Sequence, residues 1–397
     1  MLHKNNSIKY LAGNKNIKKI ISEPFSDLSL EFLDELSKNI FKLKLVKKYK
    51  DLVTFAFWCR RKNLEEIKKD ILDNKIRLGL GILFHVTPAN VPITFIYSFV
   101  FGLLAGNSNI VRVNQINLEQ VDMLIEIIKK IFSEKRFKNL RSGNLFISYE
   151  KNNTISDTYS SMADGRIIWG GDNTINEFKK KNTHTNCIDL FFGDKYSICL
   201  LNSKKIKSLN KKKMNNFVEN FYNDVFIMDQ NACSSPHLIL WEKNPDENSK
   251  IIFWKNLEKL VQKKYLFTND ISSKKFKILN QILLNNNNFD TKNFKSKLVY
   301  NIKLKKINNG IEKIRGFSGI FFEYDLNKTS ELKKIVNRKF QTLTYFGYTN
   351  DFLKKLILDK KIGGIDRIVP VGKALEINLI WDGFNVIDKM SRIIDIR

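Results

Sequence analysis

Cysteine and histidine are both scarce in this chain of 397 residues, with four of each. Cys59, Cys187, Cys199 and Cys233 lie far apart and form no CxxC pair. That spacing argues against a disulfide framework and against a zinc site, both of which need cysteines in set patterns. We therefore expect no bound metal and a reducing, cytoplasmic compartment.

Long apolar runs are also missing. The longest, residues 91–105, is interrupted by Thr94, Ser98 and Gly102. It is shorter than the ~20 residues that a membrane-spanning helix needs, so it predicts a buried helix instead. The first dozen residues are polar and basic and do not have the layout of a signal peptide.

Acidic residues are outnumbered by basic ones, 41 against 68, which gives a formal net charge of +27. Lysine supplies nearly all of the excess and is spread through the chain, whereas arginine is sparse. Nucleic-acid-binding proteins tend to concentrate both residues in one patch, so the pattern disfavours nucleic acid as a partner. It remains compatible with other anions, such as a phosphorylated cofactor or an acidic carrier protein.

The first recognisable unit is a strand, a helix and a second strand. Residues 77–86 predict a buried strand, residues 87–92 a turn, and residues 110–113 the second strand, with the apolar run between them. Such units build parallel sheets, whose ligands lie at the carboxyl ends of the strands. The turn at 87–92 and Arg112 would both lie at that edge.

A glycine pair follows another predicted strand, residues 166–169. Gly170 and Gly171 come directly after Trp169, and residues 174–180 can form a helix. Glycines at a strand-to-helix turn let backbone amides approach a phosphate, and the helix N-terminus favours negative charge. The spacing differs from GxGxxG, so on its own the pair is also compatible with an ordinary turn.

Length and composition predict a globular protein with more than one domain. The lysine-rich segment 204–213 is the expected boundary. We predict a helical N-terminal segment with a cofactor domain over 1–203 and a catalytic domain over 204–362. A C-terminal segment, 363–397, is expected to fold back on the cofactor domain or to form an oligomer interface.

One cysteine has the setting of a nucleophile. Cys233 lies among small and polar residues, between the apolar runs 221–228 and 238–241. Only the thiolate is a good nucleophile, so such a site needs neighbours that expose the thiol and favour its ionisation. Most free cysteines are instead small buried hydrophobic residues, and the local sequence leaves that alternative open.

Four motifs occur in order along the chain. They are FHVTPANVP with GLLAGN (84–92 and 102–107), WGGD (169–172), NACSSP (231–236) and GIDRIVPVG with WDG (364–372 and 381–383). Together they resemble the aldehyde dehydrogenase superfamily and, within it, the acyl-CoA reductase family of bacterial luminescence operons (LuxC). The resemblance implies an α/β fold with a Rossmann-like cofactor domain, a second α/β catalytic domain, and the active site between them.

The resemblance also implies roles for particular residues. Cys233 matches the catalytic nucleophile. Asn90 matches the asparagine whose side-chain amide forms the oxyanion hole together with the backbone N–H of the nucleophile. The implied cofactor-binding residues are Pro88, Arg112, Trp169, Gly170 and Gly171.

Two positions bear on the cofactor and the reaction. Arg112 falls where hydrolytic relatives carry a lysine beside the adenosine ribose. Its guanidinium fork fits the 2′-phosphate of NADPH, although a surface arginine at a strand end is equally compatible with the sequence. Phe191 falls where aldehyde-oxidising relatives carry the glutamate that activates water. An apolar ring there would exclude water from an acyl-enzyme, as a reductase requires.

The predicted function is NADPH-dependent reduction of an activated, fatty acyl group to an aldehyde through an acyl-cysteine. The donor would be acyl-CoA or an acylated partner protein such as an acyl-protein synthetase, and a homo-oligomer is expected by analogy. His237 is a candidate proton donor or thiolate partner, with packing in the next strand as the alternative. Two other functions stay open: an acyl-phosphate reductase resembling γ-glutamyl phosphate reductase, and a basic, non-enzymatic nucleic-acid-binding protein.

Overall fold

The computed structural model describes residues 8–88, 91–114, 118–284, 289–290, 298–307 and 309–397. Contacts within the chain divide it into two compact units, Met1–Gly193 with Ile377–Arg397, and Asp194–Glu376. The second unit begins before the lysine-rich segment, because the strand Tyr196–Leu201 already pairs with its other strands. Residues 363–376 stay with the second unit, since the strand Arg367–Pro370 is hydrogen-bonded to its sheet.

The described residues form short strands and helices that alternate along much of the chain. The strands are β1 (Lys9–Gly13), β2 (Ile76–Gly79), β3 (Ile82–Val86), β4 (Ser108–Arg112), β5 (Asn144–Ser148), β6 (Gly165–Trp169), β7 (Ile188–Phe192), β8 (Tyr196–Leu201), β9 (Pro236–Trp241), β10 (Phe289–Asp290), β11 (Tyr300–Leu304), β12 (Ile320–Asp325), β13 (Phe340–Phe346), β14 (Arg367–Pro370), β15 (Ile380–Trp381), β16 (Phe384–Asn385) and β17 (Ser391–Ile394). The helices are α1 (Asp27–Phe41), α2 (Lys50–Trp58), α3 (Arg61–Ile71), α4 (Thr94–Leu104), α5 (Glu119–Ser133), α6 (Lys138–Ser142), α7 (Asn153–Met162), α8 (Asp172–Lys179), α9 (Ser203–Lys207), α10 (Lys211–Phe226), α11 (Glu247–Lys264), α12 (Asn269–Leu284), α13 (Leu332–Ile335), α14 (Asn350–Lys360) and α15 (Val386–Lys389).

The core of the first unit is a six-stranded sheet in the order β1-β5-β4-β3-β6-β7. Strands β3 to β7 run parallel to one another, and β1 joins the edge antiparallel to β5. The predicted strand–helix–strand unit is confirmed, because β3 and β4 are parallel neighbours connected through α4. Their carboxyl ends therefore share one edge of the sheet, where ligands of parallel sheets bind.

Helix α4 is the buried helix that the apolar run predicts. Every residue from Phe95 to Leu104 is buried. A helix that is apolar on all faces has no side to present to water, so it packs in the interior. Within the described residues, no helix combines the length and the apolar character that crossing a membrane requires.

The prediction of one strand over residues 77–86 is wrong, because the chain forms two. Gly81 adopts a φ of +144°, which breaks the run between β2 and β3. Strand β2 leaves the main sheet and pairs antiparallel with β17 from the C-terminal segment. Only glycine adopts such a backbone easily, and a side chain there would also meet the Asp164 carboxylate.

The second unit is built on a seven-stranded sheet in the order β10-β11-β12-β9-β8-β13-β14. Strands β11, β12, β9, β8, β13 and β14 are parallel, and β10 pairs antiparallel with β11. The sequence also predicts strands at 316–324 and 342–348 and a helix at 351–358, which correspond to β12, β13 and α14. The asparagine and lysine content of residues 285–297 predicts a surface loop, which lies outside the described residues except for β10.

The lysine-rich segment 204–213 is helical rather than a connector. It contains most of α9 and the first turn of α10. The side chains of Asn202 and Asn210 cap these two helices by accepting hydrogen bonds from the backbone N–H groups of Lys205 and Lys213. Lysine is a good helix former, so two asparagine caps are enough to turn this polar segment into helix.

Candidate active site

Cys233 lies in the turn that joins α10 to β9, separated from the first residue of that strand by Ser234 and Ser235. Its carbonyl oxygen accepts a hydrogen bond from Ser197 Oγ (2.6 Å), which itself accepts one from the backbone N–H of Thr342 (3.1 Å). Ser235 Oγ donates to the carbonyl of Asp224 (2.7 Å). The Ser197 side chain of β8 and the Ser235 side chain of the turn therefore hold the backbone at the cysteine and just after it.

The four cysteines differ in what their surroundings allow. Cys59 and Cys199 are fully buried, and burial raises the pKa of both thiols well above its ordinary value. Partial burial raises the pKa of the Cys187 thiol to about 11. Cys233 is half-buried, as Cys187 is, and it lies in the turn before β9 at the edge of the second sheet. Because a thiolate must form and reach its substrate, this position suits a nucleophile better than the other three.

The amino ends of β8, β9, β13 and β14 share one edge of the second sheet, since these strands are parallel. Cys233 precedes β9 at this edge. Lys195 precedes β8 and forms an ion pair with Asp366, which precedes β14 (3.1 Å). Arg315 donates to the carbonyl of Lys195 (2.6 Å). Lys195 belongs to the segment that matches the glutamate-bearing motif of relatives, and Asp366 belongs to the C-terminal signature. One ion pair therefore joins these two segments.

His237 is buried in β9. It is the extra residue of a bulge, because its two neighbours in β9 are aligned with consecutive residues of β8. Its ring stacks on Tyr196 at 5.3 Å, and neither ring nitrogen has a hydrogen-bond partner among the described residues. Burial lowers the pKa of His237 to about 3, so the imidazole is neutral. This environment is that of a packed strand residue, the alternative that the sequence leaves open.

Asp224, to which the sequence assigns no role, ties the C-terminal signature to the helix before the cysteine. Its buried carboxylate accepts the backbone N–H groups of Gly372 (2.7 Å) and Ala374 (2.9 Å). Its own carbonyl holds Ser235. No local pattern marks this aspartate, because its partners lie about 150 residues further along the chain.

In the first unit, the glycine pair follows β6 and opens α8. Gly171 is the N-cap of the helix, and the backbone N–H of Gly170 donates to the carbonyl of Phe192 on β7 (3.0 Å). A Cβ atom at Gly170 would lie 3.0 Å from the side chain of Thr174. The turn is therefore tight, and the N-terminus of α8 lies at the carboxyl edge of the sheet.

A buried chain of hydrogen bonds holds Trp169 at the end of β6. Its indole N–H donates to Ser98 Oγ (3.0 Å), which pairs with His85 Nδ1 (2.8 Å), while His85 Nε2 pairs with Asn109 Oδ1 (3.0 Å). The amide of Asn109 donates to two other acceptors, so its oxygen faces His85, and Nε2 of the imidazole carries the proton. Burial lowers the pKa of His85 to about 4, which keeps this chain neutral.

Arg112 ends β4 and packs against Tyr149, which follows β5. Its guanidinium lies 4.4 Å from the centre of the Tyr149 ring and donates to the carbonyl of that residue (3.2 Å). Burial lowers the pKa of Arg112, but an arginine stays charged over the ordinary pH range. The carboxylate of Glu177 on α8 is close enough to oppose this shift. The ring of Tyr149 thus orients the charged side chain of Arg112 at the end of β4.

A cavity of about 640 Å³ lies between α7 and α8. Its lining consists of four asparagines, two lysines and two carboxylates, those of Asp157 and Glu177. Each carboxylate is paired with a lysine, Asp157 with Lys181 (2.8 Å) and Glu177 with Lys151 (2.7 Å). The cavity is therefore polar and close to charge balance, and α8 connects it directly to the glycine pair.

The structure gathers the predicted cofactor residues and the predicted catalytic residues into two groups. Pro88, Arg112 and Trp169 with the glycine pair lie at the carboxyl ends of β3, β4 and β6, at one edge of the first sheet. Cys233 and His237 lie at the start of β9 in the second unit. Asn90 lies outside the described residues. Ser197, Asp224 and Gln230 contact the cysteine turn and were not predicted as site residues.

The chain has an aldehyde dehydrogenase-like fold. Aldehyde dehydrogenase 21 from Physcomitrella patens, solved with the reaction product succinate, aligns with a TM-score of 0.64 over 93% of this chain and 86% of that one, at 9% identity. The glyceraldehyde-3-phosphate dehydrogenase GapN from Methanocaldococcus jannaschii, complexed with NADP, gives 0.60 over 92% and 88%, at 13% identity. The predicted α/β, aldehyde dehydrogenase-like fold is confirmed.

The particular family follows from the sequence. The family model of acyl-CoA reductase (LuxC) matches residues 29–309, so the chain belongs to that family and the predicted resemblance is confirmed. The long-chain acyl-protein thioester reductase of Vibrio harveyi is 22% identical over 296 residues, or 74% of this chain. The match covers 58% of the length of that relative.

Proposed function

We propose that this chain reduces an acyl thioester to an aldehyde with NADPH, through an acyl-cysteine on Cys233. The observation that carries the proposal is the turn before β9, in which Cys233 is half-buried while its backbone is held by Ser197. Membership of the LuxC family and the thioester reductase activity named for the Vibrio harveyi relative support it.

The thiolate of Cys233 attacks the carbonyl carbon of the thioester, and the bond to the donor sulfur breaks as the tetrahedral oxyanion collapses. The leaving thiolate takes up a proton, and the acyl group stays on Cys233. In this proposal the oxyanion is held by the side-chain amide of Asn90 and the backbone N–H of Cys233. Removal of one such donor typically lowers the rate on the order of 10²–10³-fold. Ser197 orients the adjoining peptide by binding the Cys233 carbonyl.

The residues of the first unit fit a dinucleotide. When bound, NADPH supplies the hydride that converts the acyl carbon into the aldehyde as the sulfur of Cys233 leaves as thiolate. The N-terminus of α8 at Gly170 and Gly171 suits the diphosphate, and the polar cavity beside α8 suits the adenosine part. Arg112 is proposed to bind the 2′-phosphate, with Pro88 and Trp169 completing the edge.

The remaining roles concern water, protons and partners. Phe191, half-buried in β7, is proposed to keep water from the acyl-cysteine, because an apolar ring cannot activate it. His237 acts in this scheme by packing the start of β9, since a neutral, buried imidazole is too weak an acid to protonate a leaving group. The proposed donor is acyl-CoA or an acylated partner protein, and the proposed assembly is a homo-oligomer.

The experiment measures NADPH consumption by the purified protein with a panel of acyl-CoA chain lengths and with an acyl phosphate. We expect oxidation with thioesters, loss of it in Cys233→Ala, and retention in the matched variant Cys187→Ala, whose thiol is also half-buried. A Cys233→Ala protein that still reduces thioesters refutes the proposed nucleophile. Activity with the acyl phosphate and with none of the thioesters would instead make this protein an acyl-phosphate reductase.

A further inference from the structure

The turn that carries Cys233 has an unusual backbone. Two consecutive residues before it, Asp229 and Gln230, have φ values of +50° and +62°. Residues other than glycine avoid this left-handed region because the Cβ atom crowds the following carbonyl oxygen. Such conformations persist where the surroundings hold them, and they are common at functional sites.

One side chain closes this turn on itself. The amide nitrogen of Gln230 donates to the carbonyl of Pro236 (3.0 Å), so the two ends of the segment 230–236 are joined with Cys233 midway between them. The same nitrogen donates to the carbonyl of Ile320 (3.1 Å), and the amide oxygen accepts the N–H of Gly319 (3.1 Å). Only a carboxamide offers two donors and an acceptor in this arrangement.

The partner on the other side is the turn 316–319, here called the brace turn, which precedes β12. The turn itself requires glycine at Gly316, because a Cβ atom there would collide with the Ile320 carbonyl, the same oxygen that accepts from the Gln230 amide. Ser318 in this turn is also left-handed, with φ +45°. The backbone N–H of Ser318 donates to the carbonyl of Asp229 (3.3 Å), which adds a second link.

Helices α11 and α12 hold the brace turn from behind. Lys275, buried in α12, donates to the carbonyl of Ser318 (2.7 Å) and to that of Leu298. Tyr265, which follows α11, donates to the Asp229 carboxylate, so its hydroxyl oxygen accepts from Ser318 Oγ (3.0 Å). The cysteine turn is thus attached to a rigid part of the fold through groups that do not themselves include Cys233.

We propose that Gln230 is a positioning residue of the reaction: its carboxamide locks the segment 230–236 against the brace turn and thereby keeps the Cys233 thiol where it attacks the acyl carbon. This inference rests on the proposed function for its effect on turnover. Its effect on the cysteine itself does not depend on any substrate.

The test compares wild-type protein, Gln230→Met, which keeps the length of the side chain without its hydrogen bonds, and Gln230→Glu. A misplacement of a reacting group by about 1 Å can cost on the order of 100-fold in rate. We therefore expect kcat for NADPH-dependent thioester reduction to fall 10- to 100-fold in Gln230→Met (an order-of-magnitude range), with KM little changed. Because the freed turn exposes the thiol, alkylation of Cys233 by iodoacetamide, followed by mass spectrometry of its peptide, should become several-fold faster.

The conservative variant separates positioning from folding. Gln230→Glu keeps the acceptor for Gly319 and regains one donor when its carboxyl group is protonated. As the pH is lowered, we expect Gln230→Glu to regain part of the turnover. We also expect its Cys233 to be alkylated more slowly than that of Gln230→Met at the same pH. Ser203→Ala is the matched control, since it removes a buried hydroxyl with two hydrogen bonds from the opposite edge of the same sheet.

The outcomes are distinct. If kcat and the alkylation rate are both unchanged in Gln230→Met, the inference is overturned while the proposed function stays in place. The same holds if Ser203→Ala changes kcat and the alkylation rate as much as Gln230→Met does. If the wild-type protein reduces no thioester, the proposed function fails, and faster alkylation in Gln230→Met still supports Gln230 as the residue that holds the turn.

Discussion

Because Asp224 is buried, we predict that the stability of the folded protein depends on pH. The carboxyl group is 1% exposed, it accepts two backbone N–H groups from the signature turn, and burial raises its pKa from 3.8 to about 7. Between these two pH values the folded protein holds a proton that the unfolded chain releases. The stabilisation linked to this proton is therefore complete below about pH 4 and is lost as the pH rises through about 7.

The size of the effect follows from the shift. One pKa unit corresponds to about 1.4 kcal/mol, so the whole shift represents roughly 4 kcal/mol and the part between pH 5 and pH 8 roughly 3 kcal/mol. Asp224→Asn removes the titration, and relative to the protonated wild-type protein it costs about 1–3 kcal/mol because one N–H loses its acceptor. The wild-type protein should therefore exceed the variant in stability most clearly at acidic pH.

The assay is urea unfolding followed by far-UV circular dichroism across this pH range, for wild-type protein, Asp224→Asn and Asp359→Asn. Asp359 is an exposed aspartate of α14 and serves as the control. We expect the free energy of unfolding of wild-type protein minus that of Asp224→Asn to decrease with rising pH, and the corresponding difference for Asp359→Asn to stay flat. A difference for Asp224→Asn that is flat or increases with pH refutes the reasoning.

Four further outcomes are expected. Ser98→Ala should lower the free energy of unfolding by about 2–4 kcal/mol in urea titrations, because the His85 and Trp169 ring nitrogens both lose a buried partner; an unchanged midpoint would contradict the buried chain. Arg112→Ala should raise KM for NADPH about tenfold, consistent with a lost charge-assisted contact, and leave KM for NADH nearly unchanged, whereas equal changes would exclude a 2′-phosphate contact. Ser197→Ala should lower kcat about tenfold in the NADPH assay through the freed Cys233 carbonyl, by roughly the worth of one hydrogen bond, and unchanged turnover would argue against that role. Added NaCl should slow the reaction with acyl-CoA but not with an uncharged short thioester, if the lysine excess attracts the anionic donor.

Local sequence predicts the elements whose neighbours in space are also neighbours in the chain. Strand β6 ends at Trp169 as predicted, and α4 is buried as its apolar run requires. The wrong predictions have two causes, one distant in the chain and one local. The stretch 77–86 looks uniform, yet Gly81 breaks it, because β2 pairs with β17 from the far end of the chain. The segment 204–213 looks like a linker because lysines dominate it, and the two asparagine caps decide otherwise.

The same limit applies to the site. Motifs reveal Cys233 and the glycine pair, since those positions are read from residue types in one short stretch. They do not reveal Asp224 or Gln230, whose importance lies in contacts with Gly372 and Gly319, far along the chain. Supporting residues of this kind are set by tertiary contacts, and a single sequence carries no local signal for them.

The pairing of β2 with β17 has a consequence for synthesis on the ribosome. Domains tend to fold as units while the chain emerges. The second unit, Asp194–Glu376, is continuous and emerges entire, whereas the first unit still lacks Ile377–Arg397 at that time. Val386, Ile387 and Met390 belong to the first hydrophobic core, so a nascent first unit displays an open apolar patch beside α4 until they arrive. The unit that is begun first is thus completed last, and a chaperone that covers that patch would act during this interval.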